Sequence, residues 1–290
     1  MSTWSGKTRG GVTGHKIFIF FLQTFGLNFA YFILRFVSAY YVFFSRESKH
    51  IFYFFNKILK YNRFKSLRKL FTNYYIFGQT LLDKVAILGN FKNKITFEFD
   101  GEEYLAEIVK NGKGGILISA HIGNWEIAGN FLKRLNAKIN IVMFDAEHQK
   151  IKKYISKIIN NSSNVKIIVI KDDLSHIIEI SKALKNNELI GIHGDRFVKG
   201  SKTHLGSLFG KAARFPSGPF HLATRFEVPY SYVFALKETD SHYHFYASPP
   251  KVNTQDISTM VEEYTNALEQ RLLKYPEQWF NYYDFWESKS

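Results

Sequence analysis

The stretch Gly115-Ile116-Leu117-Ile118-Ser119-Ala120-His121-Ile122-Gly123-Asn124-Trp125-Glu126 carries the reading of this chain. Its first half is a short, continuously apolar run, the pattern of a strand buried on both faces. The run stops at a histidine, and Gly123-Asn124 then supplies a bend and an N-cap residue for a helix beginning near Trp125. This order places His121 at the carboxyl end of a buried strand, where ligands of α/β sheets sit. Glu126 follows His121 by five positions. On one continuous helix five residues turn through roughly 500°, which leaves the side chains about 140° apart. The two meet only if His121 precedes the helix and Glu126 reaches back from its first turn.

Outward from this block the chain alternates between strand and helix periods. Ile95 to Phe99 alternates like a strand and Asp100-Gly101 reads as a turn. Helix Trp125 to Leu135 leads to strand Ile139 to Met143, and helix Gln149 to Ile159 to strand Lys166 to Ile170. Helix Leu174 to Leu184 then leads to strand Leu189 to His193. Tyr230 to Ala235 and His242 to Ala247 read as strands, and Ser258 to Lys274 as a long helix. The expected fold is α/β, with a mostly parallel or mixed central sheet flanked by helices. Asp195, like His121, falls just past a strand end. The Gly112-Lys113-Gly114-Gly115 run precedes its strand and lacks the spacing of a phosphate loop, so it reads as a turn.

Upstream, Ile17 to Phe44 is dominated by phenylalanine and tyrosine, and no charged residue occurs before Arg35. Such a run is long enough to span a bilayer or to lie in the interface, and both readings stay open. Basic residues Lys57, Lys60, Arg63, Lys65, Arg68 and Lys69 follow it. Helices are expected over Ile51 to Leu59 and Phe64 to Leu88, which sets a helical membrane-associating region at 1–90 and an α/β domain at 91–290. The formal charge is +14. Placed beside an apolar stretch, that charge favours an anionic membrane surface over nucleic acid, for which no motif is present. With no cysteine in the chain, thiolate nucleophiles, disulfides and cysteine metal sites are excluded. The histidines are scattered, and no metal-ligand spacing is expected.

The Gly115–Glu126 block resembles the signature of the bacterial lipid A biosynthesis (lauroyl/myristoyl) acyltransferase family. Three more blocks match in the same order: Gly191-Ile192-His193-Gly194-Asp195-Arg196; Phe209 to Pro219, with Gly210, Pro216 and Gly218 shaping a loop; and Tyr264 to Trp286. The resemblance implies an acyltransferase at the cytoplasmic face of the inner membrane. It would take a fatty acyl chain from acyl carrier protein, or from coenzyme A, to a lipid acceptor such as a lipid A precursor, with no bound cofactor.

By the same resemblance His121 is the general base and Glu126 its orienting carboxylate. Asn124, Asp195, Arg196, Lys211, Arg214, Ser217 and Gly218 would meet substrate. His193 reads as structural. The chain departs from the family in its tail, where Asn281 to Trp286 replaces a histidine and an arginine, and in its opening Trp4 to Gly10. Those departures leave open a different amphiphilic acceptor, an aminolipid or an aryl-polyene-type pigment. A non-catalytic membrane scaffold is a further alternative.

Overall fold

In the computed structural model, the residues described are 12–125, 127, 135, 137–144, 165–171, 173–197, 200–252 and 256–286, with side chains from residue 17 on. The chain divides into two compact units.

The first unit comprises, among the described residues, 12–95 and 271–285. The apolar run forms two helices, α1 (Val12–Phe25) and α2 (Leu27–Phe44), because Gly26 between them has φ +81° and ψ 177°. That conformation is open essentially to glycine alone. Ser48–Tyr53 is α3, which passes into a π-helical turn at Phe54–Ile58. Arg63–Leu88 is α4, and its N-cap Asn62 accepts from the Lys65 amide at 2.8 Å.

Helix α2 has two distinct faces. Ala30, Tyr31, Leu34 and Ser38 are buried, and Ala30, Tyr31 and Leu34 cluster with Leu82 of α4. Tyr31 donates a hydrogen bond to the buried Asp83. Phe32, Phe36, Tyr40, Phe43 and Phe44 recur at helical spacing on the other side and are exposed. Residues 271–285 close this unit. Asn73 of α4 donates to the carbonyls of Glu277 and Trp279, both at 2.9 Å, and Lys69 pairs with Glu277 at 2.9 Å. A boundary at residue 90 therefore leaves out the C-terminal part of the helical unit.

The second unit is built on a seven-stranded mixed sheet. Its strands are β1 (Thr96–Asp100), β2 (Gly115–Ser119), β3 (Ile139–Phe144), β4 (Val165–Ile170), β5 (Leu189–His193), β8 (Tyr230–Thr239) and β9 (His242–Ala247), in the order β1-β9-β8-β2-β5-β3-β4. Every pairing is parallel except the β8–β9 hairpin. Helix α5 (Glu102–Lys110) joins β1 to β2, and α6 (Ser175–Lys185) joins β4 to β5. The expected strands are all present. The two helices read between β2 and β4 fall mostly, or wholly, outside the described residues, although Trp125 and Ile127 are helical.

The block from Phe209 to Pro219 is a hairpin followed by a helix, not a loop. Strands β6 (Thr203–Leu208) and β7 (Lys211–Pro216) pair antiparallel across Phe209-Gly210, and α7 (Gly218–Phe226) follows. Both turn residues have positive φ, the requirement of a type I′ turn. A phenylalanine in that position is uncommon, and its amide is anchored to Glu269 of α8 (Ile257–Lys274) at 2.8 Å.

Strand β2 lies centrally and is buried along its whole length. Leu117 and Ser119 point to the α5 side, where Leu105, Ile108, Ile139, Ile141 and Leu189 form a core cluster. Ile118 points to the opposite side, towards Tyr264 of α8. The hydroxyl of Tyr264 donates to the Ser119 carbonyl at 3.0 Å, which fixes the end of the strand from outside the sheet.

Beyond β2 the chain crosses onto the extension of β8. Gly123 bridges Ala235, and the Asn124 amide donates to the Ala235 carbonyl at 2.7 Å. Gly123 has φ +63°, and a Cβ there would stand 1.9 Å from that carbonyl oxygen. Gly123→Ala is therefore expected to destabilise the protein by at least about 2 kcal/mol, read as a lowered midpoint of urea unfolding.

Candidate active site

The site follows from the β2–β5 register. Ser119 pairs with His193 as the last rung of the parallel ladder, and the Gly194 amide extends it by donating to the Ser119 carbonyl at 2.8 Å. Two residues further along each strand stand His121 and Asp195. Their side chains meet, with His121 Nδ1 2.7 Å from Asp195 Oδ1. The backbone amide of His121 donates to Oδ2 of the same carboxylate at 2.9 Å. One carboxylate thus holds both the main chain and the ring of the histidine. Gly194 permits the close approach, since a Cβ there would lie 2.9 Å from the Tyr264 ring and 3.1 Å from Ile118.

Asp195 is 1% exposed. Burial alone would raise its pKa, but the paired His121, through its charge and hydrogen bond, and then Arg196, hold the carboxyl well below the usual range. An ionised carboxylate only accepts hydrogen bonds, so Nδ1 carries a proton and Nε2 is the basic nitrogen of His121. His193 lies beside the pair. Its ring centroid is 4.2 Å from that of His121 and 4.6 Å from Trp125, which meets it edge-on. Burial, then the positive charges of His121 and Arg196, push the His193 pKa well down, so this imidazole is neutral.

Next to these residues an apolar cavity of about 80 Å³ opens on the α5 side of the sheet, with Ser119, Trp125 and His193 in its wall. His121, His193 and Asp195 offer three ligand atoms within 4.8 Å of one another. The spacing of the dyad is that of a hydrogen bond. Two ligands on one tetrahedral zinc would stand about 3.3 Å apart, and at 2.7 Å the carboxylate and imidazole are bonded to each other.

The sequence reading placed Glu126 as the orienting carboxylate, and Glu126 lies outside the described residues. In the structure Asp195, read as a substrate contact, fills the hydrogen-bonding position on Nδ1. Asn124 is buried, and its amide is engaged by Ala235, so that amide is not an oxyanion donor. Arg196 is partly exposed beside Asp195. Lys211 is exposed at the start of β7, and Arg214 on the same strand reaches Thr203 Oγ1 at 3.4 Å. Ser217 is buried, its amide bonded to the Lys202 carbonyl at 3.0 Å, and Gly218 opens α7. The site residues that sequence reasoning missed are His193 and Trp125. The signal for His193 was its strand-end position two residues before Asp195.

A histidine held by a buried carboxylate at a strand end, beside an apolar cavity, can serve as a base next to an acyl chain. Residues 17–287 match the family described as bacterial lipid A biosynthesis acyltransferase, and the chain belongs to that family. It is an acyltransferase acting on lipid substrates. Among solved structures it is similar to the 1-acyl-sn-glycerophosphate (LPA) acyltransferase PlsC from Thermotoga maritima. The identity is 12%, the TM-score 0.38, and the match covers 88% of this chain and 100% of that one. No curated protein matches.

Asp195→Asn keeps the shape and removes the charge that fixes the tautomer, so kcat/KM should fall roughly 10²- to 10⁴-fold. Because the folded-state pKa of Asp195 is depressed, its contribution to stability is present above the unfolded pKa near 3.9 and lost as pH falls through the folded value. Urea unfolding should therefore show the wild type more stable than Asp195→Asn at neutral pH, with the gap closing below about pH 4.

Proposed function

We propose that this protein transfers a fatty acyl chain from acyl carrier protein to a lipid A precursor at the cytoplasmic face of the inner membrane. The His121–Asp195 pair beside the apolar cavity is the observation that carries the reading. His121 Nε2 takes the proton of the acceptor hydroxyl as its oxygen attacks the thioester carbonyl. When the tetrahedral intermediate collapses, the carbon–sulfur bond breaks and the departing thiolate recovers that proton from the imidazolium. Asp195 holds the ring in register and balances its charge during the step. No acyl-enzyme is needed.

The surface of the helical unit supports the rest of the reading. Helix α2 is long and apolar enough to cross a membrane, and its exposed aromatic stripe suits either spanning or lying in the interface. At the start of α4, Arg63, Phe64, Lys65, Leu67 and Arg68 are all exposed, a mixture that binds anionic headgroups through charge and apolar contact together. The charge of +14 also suits an acidic carrier as donor.

Acyl transfer from labelled acyl carrier protein into total lipid should yield a labelled glycolipid with wild type and none above background with His121→Ala. A product that persists in the variant would sink the assignment of the base. Replacing Arg63, Lys65 and Arg68 together with glutamine should weaken sedimentation with anionic vesicles about 100-fold, at roughly 1 kcal/mol per basic residue. Binding that is unchanged by the triple variant and by added salt would rule out this basic surface.

A further inference from the structure

A second cavity, of about 450 Å³, opens in the helical unit where the end of α2 faces α3, the π turn and the start of α4. That is the size of a small-molecule site. Val42, Phe52, Tyr53 and Leu67 give it apolar walls. Its charged lining residues among those described, Lys49 and Lys57, are both basic.

The π turn accounts for two lysines in one cavity. On a regular α-helix eight residues turn through roughly 800°, which would leave Lys49 and Lys57 about 80° apart. From Phe54 to Ile58 the backbone is π-helical instead. That wider turn winds through fewer degrees per residue and brings Lys57 round towards the face of Lys49. Such turns are rare and recur at functional sites. The two residues stand at most about 12 Å apart along the helix, a span that two flexible four-carbon stems can close on one phosphate.

Apolar walls beneath a basic rim suit an amphiphile. The rim lies where the apolar helix stops, since α2 ends at Phe44 and the next basic residues are Arg46 and Lys49. Glu47, between them, accepts a hydrogen bond from the Ser45 hydroxyl at 2.8 Å. Phe43, beside Val42, and Phe64, one turn before Leu67, are 80% and 79% exposed, the highest values among the described large apolar residues. Aromatic side chains so bare, next to an apolar helix end, mark the interface level, where lipid phosphates lie. A soluble anion would leave the apolar walls in water, and an uncharged lipid would leave the lysines unmatched.

We infer that this cavity binds one anionic glycerophospholipid from the bilayer. Its phosphodiester sits between Lys49 and Lys57, and the first part of an acyl chain lies against Val42, Tyr53 and Leu67. The inference rests on the membrane placement proposed above and is separate from acyl transfer. Arg63, Lys65 and Arg68 attract the anionic surface as a whole. The cavity holds a single lipid, which fixes the depth and rotation of the helical unit on the bilayer.

The test is calorimetric titration of the full chain in dodecyl maltoside with dihexanoyl phosphatidylglycerol, dihexanoyl phosphatidylcholine and glycerol 3-phosphate. Phosphatidylglycerol should saturate at one per chain and bind roughly 10-fold or more tightly than phosphatidylcholine. Lys49→Gln with Lys57→Gln should weaken it about 30-fold, and Leu67→Asn should weaken both lipids. Replacing Arg63, Lys65 and Arg68 with glutamine should leave this titration unchanged. Equal binding of the two lipids, or no loss in the lysine double variant, would overturn the site. Glycerol 3-phosphate binding as tightly as phosphatidylglycerol would make it a site for free phosphate and overturn the lipid. If no lipid titrates while vesicle sedimentation still weakens in the triple variant, the inference fails and the membrane placement stands.

Discussion

The double attachment of Asp195 to His121 is the interaction on which the active site depends. A buried carboxylate is tolerated only with charge and hydrogen bonds around it, and here His121 supplies two hydrogen bonds, from ring and main chain, beside the positive charge of Arg196. The pairing needs β2 and β5 in one register. A slip by one residue would turn each side chain to the wrong face of the sheet. The Tyr264 hydroxyl and the Gly194 amide both end on the Ser119 carbonyl, two residues before His121, so the register is held from two directions. The core packing on either face of β2 serves the same end.

Much of this fold was legible in the sequence because parallel strands buried on both faces read as short apolar runs, as Ile116–Ile118 and Ile141–Met143 do. What escaped was structure whose local signals were weak or misleading. Helix α5 is a single short element opened by Gly101-Glu102-Glu103, whose buried residues are Leu105 and Ile108, with Val109 partly buried beside them. The β6–β7 hairpin turns at Phe209-Gly210, where the usual Asn or Asp is missing. Gly26 looked like one small residue within a continuous apolar run, yet its backbone splits that run into two helices.

The site was half legible. His121 announces itself by ending a strand run. Its partner does not, because Asp195 is 74 residues away and their contact depends on β5 being inserted between β2 and β3, which no local pattern specifies. A carboxylate five residues downstream was the only candidate that spacing could suggest. His193 was read as structural because a lone histidine on a strand has no distinguishing mark. Its meaning comes from the ring it faces and the cavity it borders.

The closing of the helical unit by residues 271–285 bears on how the protein is born. The amide of Asn73 finds its carbonyls at Glu277 and Trp279, 204 and 206 residues further along the chain. At about 5–20 residues per second, a ribosome needs roughly ten to forty seconds to deliver them after Asn73 emerges. For that interval a nascent chain displays its aromatic helices with their polar seam unfilled. Transiently exposed apolar surface of this kind is prone to aggregation, so the last fifteen described residues of the helical unit matter for the survival of the nascent chain as well as for the finished fold.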